Sequence, residues 1–196
     1  MNENKRKIMI IGVGGIGSYL APLLKKVGIY SMYLADPDIV EDKNLLYQNF
    51  SKATVGQKKV DSLSGISVGH VRSPYNILTD AQIKGSKSDL VVCCADNLDI
   101  RRLLYRQGFQ DDAKVKWLDL RAQGRNGALI SYLTDPKFSD MFLQGPDGSF
   151  SCQGDQEEIT PETVHFTHVA VAGMAAQWIQ RWFNGEEVKD KMVINI

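Results

Sequence analysis

Short apolar runs alternate with amphipathic segments along most of the chain. The runs at residues 8–12, 30–35 and 90–95 are nearly continuous, which is typical of strands buried on both faces of a parallel sheet. Apolar positions at helical spacing predict helices between these runs. Further strands are predicted at residues 71–78, 115–120, 128–133 and 188–196, and helices at 16–27, 58–63, 100–109 and 164–183.

This alternation of strands and helices predicts the α/β class, with a Rossmann-like doubly wound, mostly parallel sheet and helices on both faces. We expect one domain over residues 1–196, in which the turn-rich segment 135–162 forms a mobile loop or cover. Ligands of such sheets bind beyond the carboxyl ends of the strands. The loops that begin at Gly12, Asp36 and Asp96 are therefore expected to lie together.

The composition of the chain argues against nucleic-acid binding, a membrane partner and structural zinc. The chain has 23 basic and 23 acidic side chains, so its zero net charge gives no general attraction to nucleic acid. No apolar stretch approaches the roughly 20 residues of a membrane span, and no membrane partner is expected. The three cysteines, Cys93, Cys94 and Cys152, form a poor disulfide framework, which predicts a reducing, cytoplasmic location. Adjacent cysteines on a strand point to opposite faces, and CxxC pairs are absent, so structural zinc is not expected.

A glycine-rich loop follows the first predicted strand and precedes the first predicted helix. Its glycines, Gly12, Gly14, Gly15 and Gly17, satisfy the GxGxxG pattern, which lets the backbone and a helix N-terminus approach phosphate closely. Asp36 ends the second strand, where a carboxylate can accept hydrogen bonds from ribose hydroxyls. These features predict an adenine-nucleotide site and leave both NAD and ATP open.

Four further motifs follow in order. Asp36, Asp38 and Val40 form a DxDxV strand end, and residues 44–48 read Asn-Leu-Leu-Tyr-Gln. Lys59 lies three residues after a glycine, and the pair Asp96-Asn97 follows a buried strand. Over residues 8–109 the sequence resembles the ThiF/MoeB/HesA family of adenylyltransferases, relatives of ubiquitin-activating enzymes, which carry GxGGxG, DxDxV, NLxRQ, GxxK and DN motifs in this order.

The resemblance implies an ATP- and Mg²⁺-dependent nucleotidyltransferase that activates the C-terminal carboxylate of a small ubiquitin-like or sulfur-carrier protein ending in Gly-Gly. It also implies a homodimer. The catalytic residues that it implies are Asp96 as the Mg²⁺ ligand, and Lys59 and Asn44 at the phosphates. Lys58 is the alternative candidate for the lysine that contacts phosphate. The full nucleotide-binding set implied is Gly12, Gly14, Gly15, Gly17, Asp36, Asp38, Asn44, Gln48, Lys59, Asp96 and Asn97.

Some positions leave alternatives open. Tyr47 stands where the family usually has an arginine, which favours a second hypothesis, a non-catalytic partner subunit. A third, an NAD(P)-dependent oxidoreductase, explains the glycine loop and Asp36 and gives the later motifs no role. Cys152 is either an acyl acceptor that forms a thioester or an incidental thiol in a mobile loop. Arg121 and Arg125 are either anion contacts or solvated loop residues.

Overall fold

The computed structural model describes residues 6–63, 71–144, 151–154 and 158–196. Within these ranges one sheet contains seven strands in the order β3-β2-β1-β4-β5-β6-β7. The first five strands in this order are mutually parallel, and β6 and β7 are antiparallel additions, which confirms the predicted fold class. The strands are β1 (Arg6–Ile11), β2 (Tyr30–Ala35), β3 (Val71–Ser73), β4 (Leu90–Cys93), β5 (Trp117–Gln123), β6 (Asn126–Ser131) and β7 (Lys191–Asn195).

The helices of the described ranges are α1 (Gly17–Val27), α2 (Lys59–Ser62), α3 (Asp80–Gly85), α4 (Leu98–Tyr105), α5 (Ser139–Leu143) and α6 (Thr167–Phe183). Helix α1 ends as predicted at Gly28, whose φ of 79° is left-handed and whose N–H donates to the Lys25 carbonyl. Helix α6 packs against α1 and against β5 and β6, so it covers one face of the sheet. In the described part of the chain, no helix is both long and apolar enough to cross a bilayer.

Several predicted boundaries differ from the structure. The strand predicted at residues 71–78 ends at Ser73, because Pro74 follows and cannot donate to a strand ladder. The helix predicted at residues 100–109 is α4, which starts earlier because the Asn97 side chain caps it and which ends before Gly108, where φ is 97°. Helix α3 was not predicted; Thr79 and Gln82 form its capping box. Of the predicted cover, residues 145–150 and 155–157 lie outside the described residues.

The register of the central strands positions the loops. Ile11, the last residue of β1, pairs with Ala35 of β2 on one side and with Cys93 of β4 on the other. The chain leaves β1 toward β2 and β3 and then returns to β4 beside β1, so the connections diverge at the β1 carboxyl end. The loops after β1, β2 and β4 therefore meet at one edge of the sheet, as the sequence predicts.

Candidate active site

A cavity of about 760 Å³ lies at this edge. It is lined by the following members of the predicted nucleotide-binding set: Gly12, Gly14, Gly15, Asp36, Asp38, Gln48, Lys59, Asp96 and Asn97. Two members, Gly17 and Asn44, are not among the lining residues. The cavity continues along the sheet to residues of β5, β6 and β7, including Arg121, Ala128 and Val193. It therefore has one half at the loops after β1, β2 and β4, and a second, antiparallel half where β5 pairs with β6 and β6 with β7.

The glycine loop packs tightly under the first half of the cavity. Gly12 has φ 88°, and a Cβ at this position would lie 2.7 Å from the backbone nitrogen of Ala95. Only glycine fits there without strain. Gly17 opens α1 and packs against the Gly12 carbonyl, whereas Gly14 and Gly15 line the cavity. The loop thus brings backbone N–H groups at the start of α1 to the cavity, where they can bind an anion.

The carboxylate of Asp36 is fixed beneath this loop. Its Oδ2 atom accepts a 2.7 Å hydrogen bond from the Val13 N–H, and its Oδ1 atom accepts a 2.9 Å bond from the Asp38 N–H. Burial raises the pKa of Asp36, while the charge of Lys59 and the two N–H donors oppose this rise. Each oxygen keeps a lone pair for a ligand, which suits the predicted contact to ribose hydroxyls.

Of two adjacent lysines, only one reaches the cavity. Lys59 is buried, and its Nζ atom lies 2.8 Å from Oδ2 of Asp38, whose side chain is 61% exposed. Lys58 is exposed, does not line the cavity, and donates from Nζ to the Pro37 carbonyl over 2.9 Å. Lys59, and not Lys58, therefore faces the cavity.

Asn44 shapes the turn that precedes Gln48. Its Oδ1 atom accepts a 2.9 Å hydrogen bond from the Glu41 N–H, in a capping box at the start of a 3₁₀ helix, Asp42–Leu46. Its Nδ2 group makes no hydrogen bond within the described residues. The side chain is buried, with 3% exposed, so its clear role in the structure is to hold this turn.

Gln48 lies beside the glycine loop with an unused acceptor. Asn49 binds Ser18 of α1 twice, through its N–H to Oγ at 3.0 Å and through Nδ2 to the carbonyl at 3.1 Å. These bonds hold the Gln48 side chain next to Gly14. The Gln48 Oε1 atom is buried and has no hydrogen-bond partner in the described part of the chain. Because an unpaired buried acceptor costs free energy, a ligand donor at this point would be favourable.

Asp96 and Asn97 are adjacent, but their side chains differ in whether they already make hydrogen bonds within the described residues. The Asn97 Oδ1 atom accepts a 3.0 Å bond from the Ile100 N–H and so caps α4. Asp96 is exposed to the cavity, and its carboxylate makes no hydrogen bond or ion pair within the described residues. These residues contain no group of three His, Cys, Asp or Glu side chains suited to a metal. A Mg²⁺ ion at Asp96 would therefore need phosphate oxygens and water as its other ligands, which is usual for Mg²⁺.

Comparison with known proteins identifies the chain. A model of the ThiF family matches residues 3–195. The chain belongs to the ThiF family. It is 36% identical over 106 residues to the molybdopterin-synthase adenylyltransferase of Escherichia coli strain K12, covering 50% of this chain and 43% of that protein. It is 30% identical over 115 residues to the ubiquitin-like modifier-activating enzyme 5 of Drosophila persimilis, covering 49% of this chain and 30% of that protein. The chain thus spans less than half the length of these relatives.

Solved structures share the ThiF-type fold at low identity. The chain superposes on PaaA with a TM-score of 0.69 and 18% identity, covering 98% of this chain and 61% of that one. On Escherichia coli MccB crystallised with ATP the TM-score is 0.63, at 18% identity and with the same coverage of both chains. These likenesses extend the fold similarity beyond the half of the chain that aligns with the curated relatives.

In this ThiF-family chain, Cys152 lies directly on the glycine loop. A Cβ at Gly15 would be 2.7 Å from Sγ of Cys152. The neighbouring Gln153 is fully buried, donates from Nε2 to the His165 carbonyl at 3.0 Å, and accepts at Oε1 from the His165 N–H at 2.8 Å. Cys152 therefore packs against the glycine loop, a contact that the sequence does not indicate. Burial raises its pKa to about 11, so the thiol is protonated at neutral pH.

His168 connects the segment of Cys152 and Gln153 to Tyr47, the position where the family usually has an arginine. It is fully buried, and its Nε2 atom lies 2.6 Å from the Tyr47 carbonyl oxygen, while Nδ1 lies 3.4 Å from Nε2 of Gln153. Burial lowers the pKa of His168. Neutral His168 with its proton on Nε2 fits both contacts, because it donates to Tyr47 and accepts from Gln153. The sequence gives no sign of these partners.

Proposed function

We propose that this chain is an adenylyltransferase that uses ATP and Mg²⁺ to activate the C-terminal carboxylate of a small ubiquitin-like or sulfur-carrier protein. A single observation carries the proposal: the glycine loop, Asp36, Lys59 and Asp96, whose carboxylate has no partner among the described residues, meet in one cavity. The family relatives named as adenylyltransferase and ubiquitin-like modifier-activating enzyme support the same reaction class.

In the proposed reaction, a carboxylate oxygen of the carrier attacks the α-phosphorus of ATP. The bond from that phosphorus to the bridging oxygen breaks, pyrophosphate leaves, and an acyl adenylate remains. The transition state accumulates negative charge on phosphate oxygens, so the site must supply fixed positive charge and N–H donors. A bound Mg²⁺ would supply charge stabilisation for the leaving pyrophosphate.

The chain's own residues fit these needs. We assign the ribose contact to Asp36, whose oxygens are fixed by Val13 and Asp38. Lys59 is the phosphate cation, because its buried ammonium has only the exposed Asp38 carboxylate as an ion-pair partner in the described residues. Asp96 would hold the metal, and Gln48 supports the nucleotide with its Oε1 atom, which is unpaired within the described residues. Asn44 acts mainly through the turn it caps, with its Nδ2 group left for a phosphate oxygen.

The partner and setting are also proposed. The cavity half at β5, β6 and β7 offers room for an extended carrier tail ending in Gly-Gly beside the nucleotide half. We propose a homodimer, as the family resemblance implies, and a cytoplasmic location. The location rests on Cys93, Cys94 and Cys152, which are all free thiols in the structure.

ATP–pyrophosphate exchange tests the function. The full chain is incubated with Mg²⁺, ATP, labelled pyrophosphate and small proteins ending in Gly-Gly. Exchange that depends on the carrier and on its free C-terminus is expected, and a C-terminally amidated carrier is the matched control. If ATP and Mg²⁺ raise the melting temperature but no carrier supports exchange, the adenylation proposal is wrong.

Tyr47 favours one second candidate, a non-catalytic partner subunit. A tyrosine at this position removes a bidentate phosphate donor that a phenol cannot replace. Restoring the donor with Y47R discriminates between the two functions, since exchange that appears only in the variant indicates a chain whose own site is incomplete. Stabilisation by NAD in place of ATP would instead favour the oxidoreductase.

A further inference from the structure

A buried charge cluster lies where the two halves of the cavity meet. Asp119 of β5 is fully buried, and its Oδ1 atom accepts a 2.9 Å hydrogen bond from Nε of Arg101. Its Oδ2 atom accepts from the Tyr105 hydroxyl at 2.9 Å and from Nε and Nη2 of Arg121 at 2.9 and 2.6 Å. Asp119 pairs in the sheet with Cys93, three residues before Asp96, and Arg101 lines the same cavity as Asp96.

The cluster carries more positive than negative charge. Two guanidinium groups face one carboxylate. Burial acts to raise the pKa of Asp119, but the charges and hydrogen bonds of Arg101 and Arg121 outweigh it, so the pKa is lowered and the ionised form is favoured. Tyr105 adds no charge, because burial raises its pKa well above the usual value. A buried cation is costly unless it is paired, and this cluster has one positive charge in excess. An anionic ligand would balance that charge.

The two arginines differ in how many of their N–H groups lack an acceptor within the described residues. Arg121 uses Nη1 for the Phe142 carbonyl at 2.6 Å and Nη2 for Asp119 and the Tyr105 hydroxyl, so it is largely committed to holding the cluster. Arg101 is 6% exposed and lines the cavity, and within the described residues only its Nε atom donates. Its two terminal nitrogens form an end-on fork of the kind that binds a carboxylate bidentately.

We propose that Arg101, held by Asp119 and Arg121, is the subsite for the carboxylate of the substrate tail. The proposal rests on the proposed function and adds the residue that recognises the reacting group. The tail enters along the antiparallel half of the cavity, and its carboxylate binds the Arg101 fork next to Asp96. Arg101 thereby selects a free carboxylate over an amide and orients it toward the nucleotide half.

The experiment compares two probes that differ only in their terminal group. A short peptide ending in Gly-Gly and its C-terminal amide are titrated into the full chain without nucleotide, by calorimetry. The wild-type chain should bind the acid about tenfold more tightly than the amide, the value of one charge-assisted contact. R101Q should abolish this preference, and R101K, which keeps the charge without the fork, should retain part of it. R125Q is the matched control, because Arg125 is exposed and does not line the cavity.

A second measurement covers the case in which R101Q fails to fold. The wild-type chain is titrated with the acid peptide while arginine side-chain signals are followed by NMR, and the signals missing from R101K should shift. A wild-type chain with no preference for the acid, or an R101Q chain that keeps it, would overturn the subsite. A response of these signals to pyrophosphate but not to the peptide would overturn it too. Loss of exchange with the acid preference intact would instead refute the proposed function alone.

Discussion

The buried ammonium of Lys59 lies 2.8 Å from the exposed carboxylate of Asp38 and 9% of its side chain is accessible, so a phosphate can take over its pairing. Removing this charge with K59Q should weaken ATP–Mg²⁺ binding about tenfold to a hundredfold, the range of one hydrogen bond to a charged group. Calorimetric titration measures the change. K58Q is the matched control and should bind within about twofold of the wild type, because solvent screens an exposed charge of this kind. Equal losses in both variants would contradict the assignment.

Substitutions at Asp96 and Asn97 should distinguish an effect on metal binding from an effect on helix stability. Asp96 has no partner in the described residues, so D96N should leave the free energy of unfolding within about 0.5 kcal/mol. The same variant should lose about a hundredfold or more of Mg²⁺-dependent exchange, because a metal ligand contributes several kcal/mol. N97A should do the reverse and cost about 1 kcal/mol of stability, since it removes the α4 cap. Chemical denaturation and exchange assays on both variants check this contrast.

The sequence predicts the parts of the site that depend on strand ends. Gly12, Asp36 and Asp96 follow apolar runs, and parallel packing of those runs brings them together without further information. Contacts between distant segments have no such local signal. Gln153 looks like an ordinary loop residue, and Asp119 like a polar interruption of a strand, until α4 and the segment before α6 are placed against them. Tertiary packing alone determines their partners.

Gly15 should couple energetically to Cys152. A Cβ at Gly15 would lie 2.7 Å from Sγ and 3.3 Å from Cβ of Cys152, so G15A should lower the free energy of unfolding by about 1–3 kcal/mol through overpacking. The double variant G15A/C152A should recover part of this loss, because the sulfur is gone. Urea denaturation of both single variants and the double variant gives the coupling energy.

The variant G12A provides the control for this double-mutant cycle of G15A and C152A. A Cβ there would contact the Ala95 backbone and not Cys152, and its φ of 88° is strained for any other residue. C152A should therefore give no rescue of G12A. Rescue of G12A, or none for G15A, would mean that Cys152 is not held on the loop as the structure has it.

Protonation of His168 should destabilise the fold. Its pKa is lowered by burial, so the native state binds the proton less readily than the unfolded chain does. The resulting stability is fully present above the unfolded pKa of about 6.5 and is lost as the pH falls toward the native pKa. Below that range, imidazolium would also turn Nδ1 from an acceptor into a donor facing Gln153. The free energy of unfolding should therefore fall as the pH drops below about 6.5, and H168N should reduce this slope. H165N should keep the slope, because Gln153 binds the backbone of His165 and not its ring. Denaturation series over this pH range on the three proteins measure the effect, and a slope unchanged in H168N would exclude His168 as its source.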